Sequence, residues 1–308
     1  LFWIRPSVQF LSKYIQEHQI ETVITTGPPH SLHLIGMELK NRHKINWITD
    51  FRDPWTTIGY HDKLELSDWA AKKHKQLEKQ VLNSCDQIIV TSPTTKTEFE
   101  ALTSKPISVI TNGYDVEQIT KKPLDKKFTL AHIGSFLSER NPRILWKALT
   151  ELVKENKAFS EKLELKLIGA VSDSVLESIK EFRLEGFVNH LGYVSHEVAL
   201  QEQRCSQVLL LIEIDSEQTN CIIPGKLFEY LVSERPILAI GPEKADFASI
   251  IKETNTGTFF TYEDKDALKT QILQYFEAFQ SQSLQVHAIG LQKYSRRALT
   301  QELATILN

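Results

Sequence analysis

Short apolar runs rich in β-branched residues alternate along this chain with longer stretches of helical periodicity. The runs lie in the first half at Glu21–Thr26, Ile45–Asp50, Gln87–Thr91 and Ile107–Ile110, and in the second half at Phe128–Ile133, Leu163–Ile168, Phe187–Leu191, Val208–Ile214, Pro236–Ile240 and Gly257–Phe260. Strands that alternate with helices pair in parallel through right-handed crossovers. The pattern therefore predicts an α/β protein with four strands in the first half and six in the second, where the six form a doubly wound, Rossmann-like domain.

The helical stretches have recognisable ends. Four of them matter below: Ser31 to about Asn41, about Ser67 to Asn83, one that begins at Pro142, and one that begins at Pro224 or Gly225 and reaches about Glu234. Proline is favoured in the first turn of a helix, because its missing N–H has no partner there in any case. Ser31 is expected to cap the first of these helices with its side-chain oxygen.

The domain boundary is expected in the charged stretch Tyr114–Lys127, which has the composition of a linker. Residues 1–115 would then form a first Rossmann-like domain and residues 116–285 a second, with the C-terminal helix at 286–308 joining the first. The first half has fewer strands than the second, and the chain begins with Leu1 rather than methionine. We therefore expect the beginning of the first domain to be missing.

Composition excludes several functions. The chain has 308 residues, of which 41% are hydrophobic, with 36 Lys and Arg against 39 Asp and Glu, so no positive field is present to hold a nucleic acid. Cys85, Cys205 and Cys221 form neither a disulfide framework nor a Cys-x-x-Cys metal site, which is typical of a reducing compartment. The longest apolar runs have the length of strands, which excludes a membrane span.

The loops that follow the strands of the second half contain candidate anion-binding groups. Lys226 falls in the first turn of its helix, where a cation is unfavourable unless it shares an anion with the helix N–H groups. Glu229 lies on the same helical face and could accept hydrogen bonds from ribose; an exposed Lys–Glu surface pair is the alternative. Gly134 would allow close approach of a ligand, and Arg140 could bind a diphosphate or be a solvated loop residue. The loop is not a Gly-x-Gly-x-x-Gly fingerprint, so dinucleotides are not indicated.

In the first half, the loop at Asp50-Phe-Arg-Asp-Pro-Trp55 packs Asp50, Arg52 and Asp53 together. These residues are catalytic candidates, and the alternative is that one carboxylate only fixes Arg52 in a turn. His30 is a further catalytic candidate and could equally be a surface residue. His30 and His33 have the spacing His-x-x-His, but no third ligand has suitable spacing, so no metal site is assigned.

In chain order these segments resemble glycosyltransferase family 4 over nearly the whole length. The matching segments are Thr26–Ser31, Asp50–Trp55, Asn112–Asp115, Gly134–Asn141, Leu191–Tyr193 and Pro224–Tyr230. The resemblance implies the GT-B fold, in which two Rossmann-like domains face each other across a cleft. It further implies that the second domain binds a nucleotide-sugar donor, that the first domain binds a glycan or lipid-linked acceptor, and that transfer retains the anomeric configuration.

The family's site residues carry over with two departures. Glu229 resembles the second glutamate of the Glu-x7-Glu motif, which holds the donor ribose, whereas the first glutamate falls on Cys221. The Arg and Lys that clamp the diphosphate fall on Ser135 and Arg140, so one cation is lost and Lys226 would replace its charge. The implied donor-binding set is Gly134, Ser135, Arg140, Gly192, Pro224, Gly225, Lys226 and Glu229.

These cations would stabilise the leaving nucleoside diphosphate without a metal ion or other cofactor. The resemblance also implies a cytoplasmic protein in cell-surface polysaccharide or glycolipid synthesis, with peripheral contact at the inner face of the membrane. Two alternatives stay open. The departures at Cys221 and Ser135 fit a catalytically weak or inert nucleotide-binding scaffold, and His30, Asp50 and Asp53 could serve the acid and base steps of a nucleotide-sugar epimerase.

Overall fold

The computed structural model describes residues 2–59, 61, 64–115 and 123–307. It divides the chain into two compact units. The first comprises the residues up to Asn112, the short segment Asn220–Ile223 and the residues from Arg296 on, and the second comprises Gly113–Thr219 and Pro224–Ser295. The expected boundary after residue 115 and most of the linker that follows it, 116–122, lie outside the described residues.

The first unit contains a four-stranded parallel sheet in the order β1-β2-β3-β4. Its strands are β1 (Thr22–Gly27), β2 (Asn46–Phe51), β3 (Gln87–Val90) and β4 (Ile107–Val109), and its first helices are α1 (Ile4–His18), α2 (Ser31–Arg42), α3 (Asp68–Ser84) and α4 (Pro93–Glu100). Side chains of β2 such as Trp47 and Phe51 are fully buried and belong to the core that α3 covers. The ends of β1 and β2 are in register, with Thr26 opposite Asp50.

The second unit contains a six-stranded parallel sheet in the order β10-β9-β8-β5-β6-β7. Its strands are β5 (Phe128–Ile133), β6 (Leu163–Ile168), β7 (Val188–Gly192), β8 (Val208–Ile212), β9 (Ile237–Ile240) and β10 (Gly257–Phe260). Its helices are α5 (Arg143–Glu155), α6 (Lys157–Lys162), α7 (Asp173–Glu181), α8 (His196–Cys205), α9 (Lys226–Leu231), α10 (Asp246–Thr254) and α11 (Lys265–Gln280). Read from β7, this is the Rossmann order, and the chain direction across the sheet reverses between β5 and β8.

The last helix, α12 (Arg296–Leu307), belongs to the first unit. Its apolar side chains Leu299, Leu303 and Ile306 pack on a cluster formed by buried isoleucines of the first sheet and the residue after β4, which are Ile48, Ile89 and Ile110. Helix α12 therefore covers apolar surface made by β2, β3 and the residue that follows β4.

Most predicted elements are observed, but several helix ends differ from the prediction. Helix α5 begins at Arg143 rather than Pro142, and α9 begins at Lys226, just after the predicted start. Ser31 does not cap α2: the N-cap is His30, because the Leu32 N–H already bonds to the Pro29 carbonyl and the turn begins earlier. Helix α9 ends at Leu231 rather than near Glu234, since the Ser233 hydroxyl donates to the Tyr230 carbonyl at 2.7 Å and Glu234 adopts a positive φ of 63°. No helix among the described residues is long and apolar enough to cross a membrane.

The loops after β5 and β6 approach each other closely at two glycines. Gly169 has a φ of +113°, and a Cβ built on it would lie 2.6 Å from the Gly134 carbonyl oxygen. Both the backbone angle and the space therefore require glycine at this position. The contact holds the Gly134 loop against the end of β6.

Replacing Gly169 with alanine is expected to lower the free energy of unfolding of the second unit by about 1–3 kcal/mol, because the methyl group must displace the Gly134 backbone. Urea denaturation checks this. Gly186→Ala is the matched control, since nothing lies within 4 Å of its built Cβ, and it should change the unfolding free energy by less than about 0.5 kcal/mol. Equal losses in the two variants would contradict the close approach.

Candidate functional site

The point where the strand order of the second sheet reverses is the place where open α/β sheets bind ligands. Gly134 follows β5 there with a φ of +106°, and Glu213 follows the adjacent strand β8. Lys226, the first residue of α9, lies against the same edge, since its Nζ would be 3.7 Å from a Cβ on Gly134. The structure thus brings together three of the sequence-predicted donor-binding residues, Gly134, Arg140 and Lys226, around Glu213.

The ammonium of Lys226 points back to the end of β5. Nζ donates to the Ile133 carbonyl at 3.0 Å and lies 3.0 Å from His132 Nε2. Burial lowers the pKa of Lys226 to about 7, and repulsion by Arg140 adds to the shift. Burial also lowers the pKa of His132 well below its usual value, so this imidazole is neutral and accepts from the lysine. Lys226 therefore carries only a partial charge near neutral pH.

Arg140 is fixed by a buried carboxylate that sequence analysis missed. Its Nε and Nη2 each donate to one oxygen of Glu213 at 3.1 Å, which is a two-pronged ion pair. The Glu213 side chain is fully buried, whereas 22% of the Arg140 side chain remains exposed, and Nη1 is not part of the fork. The Ile214 N–H also donates to Glu213. The sequence did contain a signal for Glu213, which is an acidic residue directly after the wholly apolar run Val208–Ile212. The prediction had instead included Glu213 within a longer strand.

Glu229 is oriented by the neighbouring helix α8. One of its oxygens lies 3.1 Å from His196 Nε2, and the other accepts from Gln203 Nε2 at 2.8 Å. Lys226 contacts β5 while Glu229 contacts α8, so the two side chains have separate partners. The carboxylate is about one-third exposed, and ribose hydroxyls could reach it. His196 and Gln203 were not predicted, because their contact with Glu229 joins residues far apart in the chain.

The remaining predicted donor-binding residues lie in loops of the second unit. Ser135 is exposed beside Gly134, and Gly192 ends β7 with a φ of +65°. Pro224 is half-buried, and Gly225 is the N-cap of α9. Ser135 lies after β5 and Gly192 is the last residue of β7, and both strands end at the same edge of the sheet as the Lys226 cluster.

In the first unit, Asp50 and Arg52 form one polar network at the end of β2. The Thr26 hydroxyl donates to Asp50 Oδ2 at 2.9 Å, Arg52 Nη1 lies 3.8 Å from Asp50 Oδ1, and Arg52 Nη2 donates to Asn112 Oδ1. Burial raises the pKa of Asp50, although Arg52 and Thr26 oppose the shift. Asp53 is half-buried in the loop that follows. The predicted pair of Asp50 and Arg52 is therefore in contact.

His30 lies in an aromatic stack. Its ring is 5.2 Å from Trp55 and 5.7 Å from Phe51, measured between centroids. The ring of His33 lies 5.8 Å from that of His30 and stacks 4.2 Å from Phe51. Both ring nitrogens of His30 are buried with no hydrogen-bond partner among the described residues. Burial lowers the pKa of His30 to about 4, so the ring is neutral at physiological pH. The described residues contain no group of three or more His, Cys, Asp or Glu that could hold a metal ion.

Comparison with known proteins agrees with this architecture. Residues 2–118 match the model of the family described as Glycosyltransferase Family 4. No curated protein sequence matches the chain significantly.

Solved structures share the fold over nearly the whole chain. Sucrose-phosphate synthase from Thermosynechococcus elongatus is 16% identical with a TM-score of 0.65, and the alignment covers 99% of this chain and 77% of that chain. HepE of Anabaena, solved in complex with UDP and glucose, is 14% identical with a TM-score of 0.70 and coverages of 98% and 81%. The lipopolysaccharide outer core galactosyltransferase WaaB is 14% identical with a TM-score of 0.66 and coverages of 100% and 81%.

Identities this low establish a common fold rather than a common substrate. The family model matches residues 2–118, and the shared fold extends over nearly the whole chain, so the comparisons support a glycosyltransferase with the GT-B fold. The resemblance carried by the sequence motifs is thereby confirmed.

Removing the guanidinium of Arg140 is expected to destabilise the second unit, because it leaves the buried Glu213 carboxylate without its fork. Arg140→Met should lower the free energy of unfolding by about 2–3 kcal/mol, and Arg140→Met/Glu213→Gln should recover more than half of that loss. Arg143→Met, which breaks a solvent-exposed ion pair with Glu181, is the control and should cost clearly less. Urea denaturation measures all three, and a double variant as unstable as Arg140→Met would contradict the burial argument.

Proposed function

We propose that this protein is a retaining glycosyltransferase that moves a sugar from a UDP-sugar to a glycan or lipid-linked acceptor in the synthesis of a cell-surface polysaccharide or glycolipid. The observation that carries the proposal is the cluster of Lys226, Arg140 and Glu213 at the reversal point of a Rossmann sheet. Uridine is proposed as the base because HepE of Anabaena, which shares the fold, was solved with UDP.

The cation cluster suits a nucleoside diphosphate. Arg140 offers Nη1 beyond its fork with Glu213, and Lys226 is held close to the Gly134 loop. A diphosphate placed there restores full charge to the lysine, because the anion offsets both its desolvation and the repulsion from Arg140. Two cations so placed stabilise the charge that develops on the leaving group, and we propose that the reaction needs no metal ion.

Glu229 would bind the ribose. A carboxylate only accepts hydrogen bonds, and its two oxygens are already directed by His196 and Gln203. The two ribose hydroxyls can donate to the lone pairs that remain. The loss of the first glutamate of the family motif at Cys221 would then leave Glu229 as the main acidic contact with the donor.

The transfer breaks the bond between the sugar C1 and the β-phosphate oxygen and forms a bond from C1 to an acceptor oxygen on the same face. The electron pair of the broken bond leaves with UDP, and the acceptor hydroxyl loses its proton. Among the first-unit candidates, Asp50 would accept this proton, because burial raises the pKa of its carboxyl group, whereas burial lowers that of His30 to about 4 and makes its ring a weak base. Arg52 would hold Asp50 in place, and Asp53 would contact acceptor hydroxyls.

UDP is expected to stabilise the wild-type protein without Mg²⁺, and GDP and ADP to do so less. At about 100 times its dissociation constant, a ligand of the folded state adds about 2.7 kcal/mol, which a thermal-shift assay detects. Lys226→Ala should weaken UDP binding, and turnover of a UDP-sugar should fall about 10²–10³-fold. Lys180→Ala, an exposed lysine of α7, is the control and should change neither.

The products distinguish the alternatives. A transferase forms product only when an acceptor is present, and mass spectrometry of the reaction detects it. An isomerised UDP-sugar formed without acceptor would replace the proposal by an epimerase. UDP binding with neither product, across a panel of UDP-sugars and acceptors, would replace it by a scaffold.

The affinity for UDP is expected to fall as the pH rises above about 7. Lys226 has a pKa of about 7 in the free protein, and the bound diphosphate favours its charged form, so binding takes up a proton. The dissociation constant should therefore rise towards tenfold per pH unit above pH 7. Lys226→Arg stays charged and should flatten the dependence. Isothermal titration at pH 6.5 to 9 measures it, and a constant affinity in the wild type would exclude this role of Lys226.

A further inference from the structure

A cavity lies within the first unit, beside the catalytic candidate His30. Its volume is about 450 Å³, which is in the range of small-molecule sites. It is bounded by helices α2 and α3 and by the loops after β1 and β2. Apolar side chains form most of its wall, among them Leu34, Trp55, Leu64, Trp69 and Leu77. His30 also lines it, so this cavity adjoins the proposed acceptor site.

The wall of the cavity suits hydrocarbon better than sugar. A saccharide brings several hydroxyl groups, and each of them loses free energy if it is buried without a hydrogen-bond partner. Besides Lys73, the polar side chains of the wall are Ser31 and three histidines. Nε2 of His61 lies 3.2 Å from Nδ1 of His74, so these two rings already contact each other, and the ring nitrogens of His30 are buried. Hydrocarbon needs no partner, and each buried methylene group is favourable by itself.

The charge on helix α3, which forms part of the cavity wall, indicates the chemical group to which the hydrocarbon is attached. Lys73 lines the cavity and is exposed, so its ammonium can reach an anion at the opening. Lys72, Lys75 and Lys79 lie on the same helix α3. Trp69, one of two tryptophans at the cavity, has 76% of its surface exposed, which is unfavourable unless an apolar group covers it.

We propose that this cavity binds the hydrocarbon chain of an acceptor in which the chain is joined to the sugar through phosphate, with Lys73 bound to that phosphate. The proposal rests on the transferase function and narrows it from a glycan or lipid-linked acceptor to a lipid phosphate. It gives the first unit a binding site that recognises the lipid separately from the sugar.

The test uses simple alkyl phosphates as probes, from hexyl to dodecyl, at concentrations below micelle formation. Isothermal titration should show saturable binding to the wild-type protein. The affinity should rise about fourfold for each added methylene group and reach a plateau when the cavity is full. Alkyl alcohols of the same length should bind more weakly, because they lack the charge that pairs with Lys73.

Two alanines of α3 provide matched variants. Ala70 lines the cavity, so Ala70→Leu should fill part of it and weaken the binding of dodecyl phosphate at least tenfold. The neighbouring Ala71 is not part of the wall, and Ala71→Leu should leave the affinity within twofold. Circular dichroism shows whether both variants fold. Binding that Ala70→Leu leaves unchanged, or binding only to phospholipid vesicles and not to monomeric probes, would overturn the proposal.

UDP titration on the same samples separates the two proposals. If UDP binds and alkyl phosphates do not, the lipid site is wrong and the donor site stands. If alkyl phosphates bind with the expected chain-length dependence and UDP does not, the cavity is a lipid site and the proposed UDP-sugar donor is wrong.

Discussion

A carboxylate without exposure to water controls the electrostatics of the proposed donor site. Glu213 is fully buried at the end of β8, and a charge in such a place is stable only when it is paired and hydrogen-bonded. The fork from Arg140 and the Ile214 N–H meet that need, and they hold the loop after β5 in one conformation. The same carboxylate favours the charged form of Lys226, which burial and Arg140 oppose. In the free protein Lys226 is therefore only partly charged near neutral pH, and a bound anion would shift it to the fully charged form.

The two units place their ionisable groups in different surroundings. In the second unit the cations converge on one edge of the sheet, where a dianionic leaving group would need them. In the first unit His30 lies among aromatic rings, and the pKa shifts of His30 and Asp50 both favour neutral forms. Such an environment suits the handling of a hydroxyl proton and of apolar substrate groups. It is unsuited to the binding of a free polyphosphate.

The fold was largely predictable from the sequence, because buried parallel strands are continuous apolar runs. The bounds of β5, β6 and β10 were predicted to the residue. The motifs also located Gly134, Arg140 and Lys226 on one edge of the sheet. The partners of these residues were not predictable: Glu213 was included in a longer strand, and His196 contacts Glu229 across a gap of 33 residues. Local patterns indicate elements and their ends, whereas contacts between distant elements depend on how the helices pack.

The position of α12 determines the order in which the protein can be completed during synthesis. Ile48, Ile89 and Ile110 form part of the first sheet and its edge, but the residues that cover them are the last of this sequence. The second unit lies between them in the chain and has its whole sheet before residue 261. During translation the second unit can therefore form its core first, while the apolar surface at Ile48, Ile89 and Ile110 is still exposed. A chain that stops before Arg296 would keep a complete second sheet but would leave the cluster of Ile48, Ile89 and Ile110 without the helix that covers it.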